Sequence, residues 1–215
     1  GPASAPAPVE NLPMRPPILC PGCPHRASFL ALKLVAGCDD IFMNDIGCYT
    51  LGMAPPFRMG DMLLSMGSSI TMGGGFSFTS DRRIVAFIGD STFFHSGITG
   101  LANAVVNGHN LLVVIMDNRV TAMTGHQPSP SYIEDRGEGG EDLSLSIEDM
   151  VRACGVKSMA VVDPADIHTT NREVARLYRE KGVSVIVSRH PCPLFEGKAG
   201  MTAGGAKRIF RVETD

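Results

Sequence analysis

Short runs of consecutive apolar residues alternate along this chain with segments whose apolar residues recur every three to four positions. Residues 83–88 (RIVAFI) after the arginine, and 111–116 (LLVVIM) throughout, are apolar on successive positions, as expected of strands covered on both faces. Residues 41–46, 159–162 and 183–187 read as further strands. Between them, Ala27, Leu30, Leu34 and Val35 stand at helical spacing. Residues 61–78 carry apolar positions at helical spacing with many glycines, and residues 94–106 suit a helix rich in Gly and Ala that packs closely. Ser146 with Asp149 resembles a capping box opening a short helix that ends at Gly155. Asp163-Pro164 reads as N-cap and first helical residue of a helix reaching Lys181, with Gly182 just past its end. Apolar strands alternating with helices predict an α/β fold: an open, mainly parallel sheet with helices on both faces.

Residues 1–17 are rich in Pro and Ala without a periodic apolar face, and read as a linker or docking arm before one domain over 18–215. The irregular stretch 119–145 is long for a compact domain, so it is expected to be functional or mobile, with residues 134–142 a solvated loop. A chain of 215 residues can bury roughly 70% of its unfolded surface, enough for a core without disulfide staples. A net charge of −3 with 19% charged residues argues against a general nucleic-acid binder. The longest aliphatic stretch, 111–116, falls far short of the ~20 residues of a bilayer span, and no signal peptide is visible at the start. With six cysteines that do not form a disulfide-rich pattern, the expectation is a cytoplasmic protein with no membrane partner.

In open α/β sheets, ligands sit outside the carboxyl ends of the strands. One strand here runs into Gly89-Asp90-Ser91-Thr92, and the next ends in Asp117-Asn118. Asp90 and Asn118 lie 28 positions apart (118 − 90), the length of one helix plus one strand, so a right-handed crossover delivers both to one edge. A carboxylate beside an amide oxygen suits Mg²⁺, which shares its shell with phosphate oxygens. Free amides at the helix start would hold those phosphates. Taken alone, the pair reads first as an N-cap aspartate and a turn asparagine, and as a cation site second.

Gly89-Asp90-Ser91 followed by Asp117-Asn118 resembles the thiamine diphosphate motif. Ala122-Met123-Thr124-Gly125-His126-Gln127 lies downstream, Asp45-Ile46-Gly47-Cys48 upstream, and Cys20-Pro21-Gly22-Cys23-Pro24-His25-Arg26 near the start. This ordered set, over residues 15 to about 190, is similar to the thiamine-diphosphate-binding part of the 2-oxoacid:ferredoxin oxidoreductases, most closely the alpha subunits of the indolepyruvate type. The resemblance implies Mg²⁺ ligation by Asp90, Asn118 and the backbone carbonyl of Val120. It implies that Gly89, Ser91 and Thr92 meet the diphosphate, that Thr124 and Gly125 close over it, and that Gly47, Cys48, Met66 and Gly67 lie against the cofactor. His25 is a candidate diphosphate contact, and His95 a candidate for the substrate side and for catalysis. His126 also falls inside the matched motifs, whereas His109, His168 and His190 read as surface residues. The implied reaction is oxidative decarboxylation of an aryl pyruvate to an acyl-CoA, with electrons passed to ferredoxin.

Four cysteines, Cys20, Cys23, Cys48 and Cys192, correspond to those that hold a [4Fe–4S] cluster near thiamine in related enzymes, and thiolates suit such a cluster. From the residues alone, structural zinc, a Cys20–Cys23 redox pair and small buried fillers stand open beside that reading. Cys38 and Cys154 lack partners by pattern and read as structural. The resemblance further implies partners: a pyrimidine-binding domain supplying an activating Glu, a small subunit or ferredoxin-like electron-transfer domain, the 2-oxoacid, coenzyme A, and an oligomeric assembly. The 215 residues show no second α/β domain, and residues 208–215 lack the family's cysteine-rich segment, so the expectation is one domain of a larger enzyme with little turnover alone. Two other readings use the same acid–amide pair: a non-oxidative thiamine-dependent decarboxylase or carboligase domain, and a non-enzymatic module for a phosphate-bearing ligand.

Overall fold

The computed structural model describes residues 13–132 and 144–195. Helix α1 (Pro24–Lys33) leads into β1 (Ile41–Asn44), a 3₁₀ turn (Cys48–Met53), β2 (Met62–Leu63) and α2 (Ser68–Ser77). Strand β3 (Ile84–Gly89) runs directly into α3 (Asp90–Thr92), a π turn (Phe93–Gly97) and α4 (Ile98–Val106). Then come β4 (Leu111–Asp117), a small antiparallel pair β5 (Val120–Thr121) and β6 (Gln127–Pro128), α5 (Ile147–Ala153), β7 (Ser158–Val162), α6 (Ile167–Tyr178) and β8 (Val183–Arg189). Six strands form one sheet in the order β2-β1-β3-β4-β8-β7, every neighbouring pair parallel. The expected open parallel sheet is therefore what the chain forms.

Alternation along the strands explains the layers. Ile84, Ala86, Ile88, Leu111, Val113 and Ile115 face α2, α4 and α5, burying Ile70, Leu101, Ile147 and Val151. Val85, Phe87, Leu112, Val114 and Met116 point the other way, onto Phe29 and Leu32 of α1 and Val174 and Leu177 of α6. The central strands β3 and β4 are buried at every position, which is why they read as unbroken apolar runs. Helix α1 has Pro24 in its first turn, where the missing N–H leaves no helical bond unmade.

Several sequence expectations shift. The helical reading of 61–78 fails over its first third: Met62–Leu63 is an edge strand, and the helix starts at Ser68 after Gly67, whose φ of 82° glycine tolerates. The helix expected from 94 begins four residues earlier at Asp90 and carries a π turn, a feature frequent at functional sites. Leu30 and Leu34 do not make the buried face of α1; they are 47% and 66% exposed while Phe29 and Leu32 are buried. Asp163 does not cap α6. Asp166 does, accepting from the Thr169 N–H, while the Asp163 carbonyl accepts from the Thr170 hydroxyl. The Ser146 cap on the Asp149 N–H stands as expected, and Gly155 follows that helix with a φ of 87°. His109, read as a surface residue, is 4% exposed and meets Phe78 edge-on. Cys38 is exposed rather than a buried filler, whereas Cys154 packs partly buried against the core. The expectations for residues 1–12, 134–142 and 208–215 lie outside the described residues.

Candidate cofactor site

Chain direction changes across the sheet between β1 and β3. The chain leaves β1 toward β2 on one side and leaves β3 toward β4 on the other. A crevice opens at the carboxyl ends of strands at such a switch point. A cavity lies there, lined from β1 by Ile46, Gly47, Cys48 and Tyr49, from β3 by Gly89, Asp90, Ser91 and Thr92, and from β4 by Asn118, Val120 and Thr124. His25, Met66, Ala122 and Met123 also line it. The register explains the meeting of acid and amide: Gly89 pairs with Met116, so both strands end at the same level.

Asp90 is 3% exposed. Its Oδ1 accepts from the Ser91 N–H at 2.8 Å, and its Oδ2 is buried without a hydrogen-bond partner. Burial first, and the neighbouring Asp117 carboxylate second, push the Asp90 carboxyl well above the usual carboxylate range. A buried acid beside a second acid, with one oxygen unclaimed, is a site that a small hard cation would satisfy. Asn118 is 7% exposed, and its Oδ1 accepts from the Val120 N–H at 3.3 Å, closing the turn that presents the amide. Arg119 between them sits at a φ of 65°, a conformation rarely tolerated outside glycine, and its guanidinium lies over the Tyr132 ring. Asp117 is fixed from behind: Arg189 Nε donates to it at 2.6 Å while the same guanidinium grips Glu148 at 2.8 and 2.9 Å.

Two close approaches build the other wall. The Tyr49 ring, 4% exposed, lies against Gly47 and Gly89; a Cβ at either position would come within 2.4 or 2.7 Å of it. Its hydroxyl donates to the Ile46 carbonyl. The buried Asp45 carboxylate accepts from the N–H groups of Ile46, Gly67 and Ser69 at 2.9, 2.8 and 3.1 Å, tying the end of β1 to the start of α2 and so setting the Met66-Gly67 turn. Across the cavity, Ser91 and Thr121 join their hydroxyls at 2.5 Å, and Thr124 donates to Gln127 at 2.6 Å.

A second, apolar cavity adjoins the first. Cys20, Cys23, Cys48 and Cys192 all line it, together with Leu19, Leu51 and Leu194. Burial, and behind it the proximity of the other three thiols, push Cys23 up to about 11. Cys48 is raised too, by burial first and then by the nearby Cys192 and Cys20. Among the described residues no group of three or more His, Cys, Asp or Glu side chains is placed to hold a metal ion.

The structure thus brings Gly47, Cys48, Met66, Gly89, Asp90, Ser91, Thr92, Asn118, Val120, Thr124 and His25 to one cavity. Gly67 and Gly125 belong to adjoining turns rather than to its lining, with φ of 82° and 123°. His95 is not brought there: it is exposed on the π turn, its Nδ1 at 3.1 Å from the Ser96 hydroxyl. Sequence reasoning gave no role to Asp45, Tyr49, Asp117 or Arg189. Asp45 and Asp117 sat inside quoted motifs, but nothing in the sequence showed that their carboxylates are buried braces.

Parallel strands ending on an acid–amide pair at a switch point, with glycines thinning the opposite wall, define a diphosphate-cofactor-binding α/β domain. Residues 45–188, more than half of the chain, match the model of the thiamine pyrophosphate enzyme C-terminal TPP binding domain, and the chain belongs to that family. It is 51% identical over 195 residues to the indolepyruvate oxidoreductase subunit IorA of Methanothermobacter marburgensis, covering 88% of this chain and 31% of the relative. To the subunit of the same name from Thermococcus kodakarensis it is 45% identical over 220 residues, covering 96% of this chain and 34% of the relative. The chain thus spans about one third of the length of these curated relatives. A solved 2-oxoglutarate:ferredoxin oxidoreductase from Magnetococcus marinus shares the fold with a TM-score of 0.71 at 20% identity, covering 83% of this chain and 65% of that chain. The resemblance read from the motifs is borne out.

Proposed function

We propose that this chain is the thiamine-diphosphate- and Mg²⁺-binding part of a 2-oxoacid:ferredoxin oxidoreductase that converts an aryl pyruvate, coenzyme A and oxidised ferredoxin to an acyl-CoA, carbon dioxide and reduced ferredoxin. The observation that carries the reading is the unclaimed, buried Oδ2 of Asp90 in a cavity shared with Asn118 and walled by the glycine turns. Bound thiamine diphosphate supplies a nucleophilic carbon for the ketone and an electron sink for the departing carboxylate. The chain's own residues hold and orient it. Asp90, Asn118 and the Val120 carbonyl take Mg²⁺. The N–H and hydroxyl groups of Ser91 and Thr92 meet the diphosphate at the helix start, His25 flanks it, and Thr124 and Gly125 close over it. Gly47, Cys48, Met66 and Gly67 bear on the cofactor from the β1 side.

Cys20, Cys23, Cys48 and Cys192 would hold a [4Fe–4S] cluster, which would supply an acceptor for the electrons of the oxidation. The four thiols in the lining of the adjoining cavity support this, and they disfavour a non-oxidative decarboxylase or carboligase, which has no use for such a site. A pyrimidine-binding domain supplies the activating Glu, an electron-transfer subunit or domain accepts the electrons, and the enzyme works as an oligomer. Free thiols at all six cysteines suit a reducing cytoplasm, and among the described residues no helix is long and apolar enough to cross a membrane.

The decisive experiment is calorimetric titration with thiamine diphosphate, with and without Mg²⁺. Binding is expected to require Mg²⁺ and to weaken at least 100-fold in Asp90→Ala, about 3 kcal/mol for a charged ligand removed from a buried site. Unchanged binding in that variant sinks the reading. Iron analysis after anaerobic purification separates the oxidative enzyme from a non-oxidative one.

A further inference from the structure

The wall between the two cavities is one side chain thick: His25, Cys48, Asn118 and Ala122 line both. The cysteines are tied to that wall through the backbone. The Cys192 N–H donates to the Asn118 carbonyl at 3.1 Å, and the His190 N–H donates to the Asp117 carbonyl at 3.0 Å. Cys48 follows Gly47 directly, and Cys23 stands two residues before His25. The loop carrying Cys20 is pinned to α1 by the Arg26 guanidinium, which donates to the carbonyls of Leu19 and Cys20. Each segment that positions a thiol therefore also positions, directly or through α1, a side chain of the cofactor cavity.

We propose that the two cavities are thermodynamically coupled: ligation of an iron–sulfur cluster by Cys20, Cys23, Cys48 and Cys192 raises the affinity of the neighbouring cavity for thiamine diphosphate with Mg²⁺, and the bound diphosphate slows loss of the cluster. This rests on the cofactor reading above. The sign follows from what ligation joins. The thiols come from three separate stretches: the turn before α1, the turn after β1, and the segment after β8 that is bonded to Asn118. Cross-linking them restricts those stretches before the diphosphate arrives, so its binding has less left to order. The effect on affinity is reciprocal by linkage, with couplings of this kind lying between about 5- and 150-fold, and slower loss of the cluster follows separately from the bound diphosphate holding the same stretches closed.

The test uses the chain purified anaerobically, in iron-loaded and chelator-stripped forms. Calorimetry with thiamine diphosphate at saturating Mg²⁺ is expected to give a Kd about tenfold weaker for the stripped form, and for Cys20→Ser. Bleaching of the loaded form by a chelator, followed in the visible absorbance, is expected to slow about fivefold or more when the diphosphate and Mg²⁺ are present. Because bleaching is read on the folded, loaded chain, it decides the matter even where stripping unfolds the protein. Iron present with the same bleaching rate with and without diphosphate overturns the coupling and leaves the cofactor reading standing. A chain that takes up no iron overturns both.

Discussion

Replacing Asp45 with Ala removes a carboxylate that faces no solvent and accepts three backbone N–H groups. Two of those donors, on Gly67 and Ser69, are themselves buried and open α2, where a negative charge also meets the favourable end of the helix dipole. Each buried N–H left without a partner costs about 1–3 kcal/mol, and the half-buried Ile46 N–H adds less because water reaches it. Release of the carboxylate from burial offsets part of this. The net expectation is a loss of about 3–5 kcal/mol. At roughly 2–4 °C per kcal/mol for a domain of this size, the melting temperature should fall on the order of 10 °C. Asp45→Asn keeps one acceptor oxygen without the charge and should lose about half as much. Urea unfolding followed by circular dichroism, extrapolated linearly to water, measures both variants. A loss below about 1 kcal/mol in Asp45→Ala would refute the argument, because the turn would then be held by something other than this carboxylate. An Asn variant as damaging as Ala would refute the part assigned to the acceptor oxygen.

Burial alone lowers His25 to about 4, so the folded chain holds its imidazole neutral where the unfolded chain, with a pKa near 6.5, takes up a proton. The unfolded state binds more protons between those values; stability is therefore full above about pH 6.5 and falls as pH drops toward 4, by about 3 kcal/mol in all. Urea midpoints of wild type and His25→Gln at pH 7 and pH 4.5 isolate this from the carboxylates; parallel pH profiles in the two proteins would count against it. Gly89→Ala places a Cβ 2.7 Å from the Tyr49 ring and should destabilise by about 1–3 kcal/mol through overpacking. A double-mutant cycle with Tyr49→Ala checks the cause: with the ring gone, the added methyl should cost nearly nothing, and simple additivity of the two losses would contradict the contact.

Much of the fold was legible because the central strands carry their own signal. Residues 84–89 and 111–117 are buried at every position, so their sequence is apolar up to the polar residues at the strand ends, and their shortness and β-branched content mark them as strands rather than buried helix. The misreadings share one physical origin: a local pattern that tertiary contacts overrode. Residues 61–67 hold apolar side chains at helical spacing, yet Met62 and Leu63 pair with Met43 and Asn44 as an edge strand, and the helix waits for the N–H groups that Asp45 can accept. Asp163 and Asp166 are both competent caps. The Asp163 carboxylate instead accepts from the Ala165 N–H and meets the His190 ring, and the helix starts three residues on, capped by Asp166.

The site was legible to a different depth at different residues, and the division follows the kind of fact each role requires. Asp90 and Asn118 could be joined on paper because a crossover of one helix and one strand has a fixed hand, and parallel register then sets their ends level. That argument uses only the order of elements along the chain. Asp45, Tyr49 and Arg189 act through partners distant in sequence: Asp45 through an N–H 24 residues on, Tyr49 through the flanks of two glycines on different strands, Arg189 through an acid 72 residues before it. Their residue types are ordinary in a sequence, and their roles exist only once the sheet has assembled. His95 shows the converse. It sits within a matched motif five residues from Asp90, but the π turn leaves it on the surface beside Ser96, outside the cavity that its neighbours Ser91 and Thr92 line. Proximity in sequence placed it at the site, whereas its exposure is fixed by the turn it lies in, a fact no spacing argument supplies.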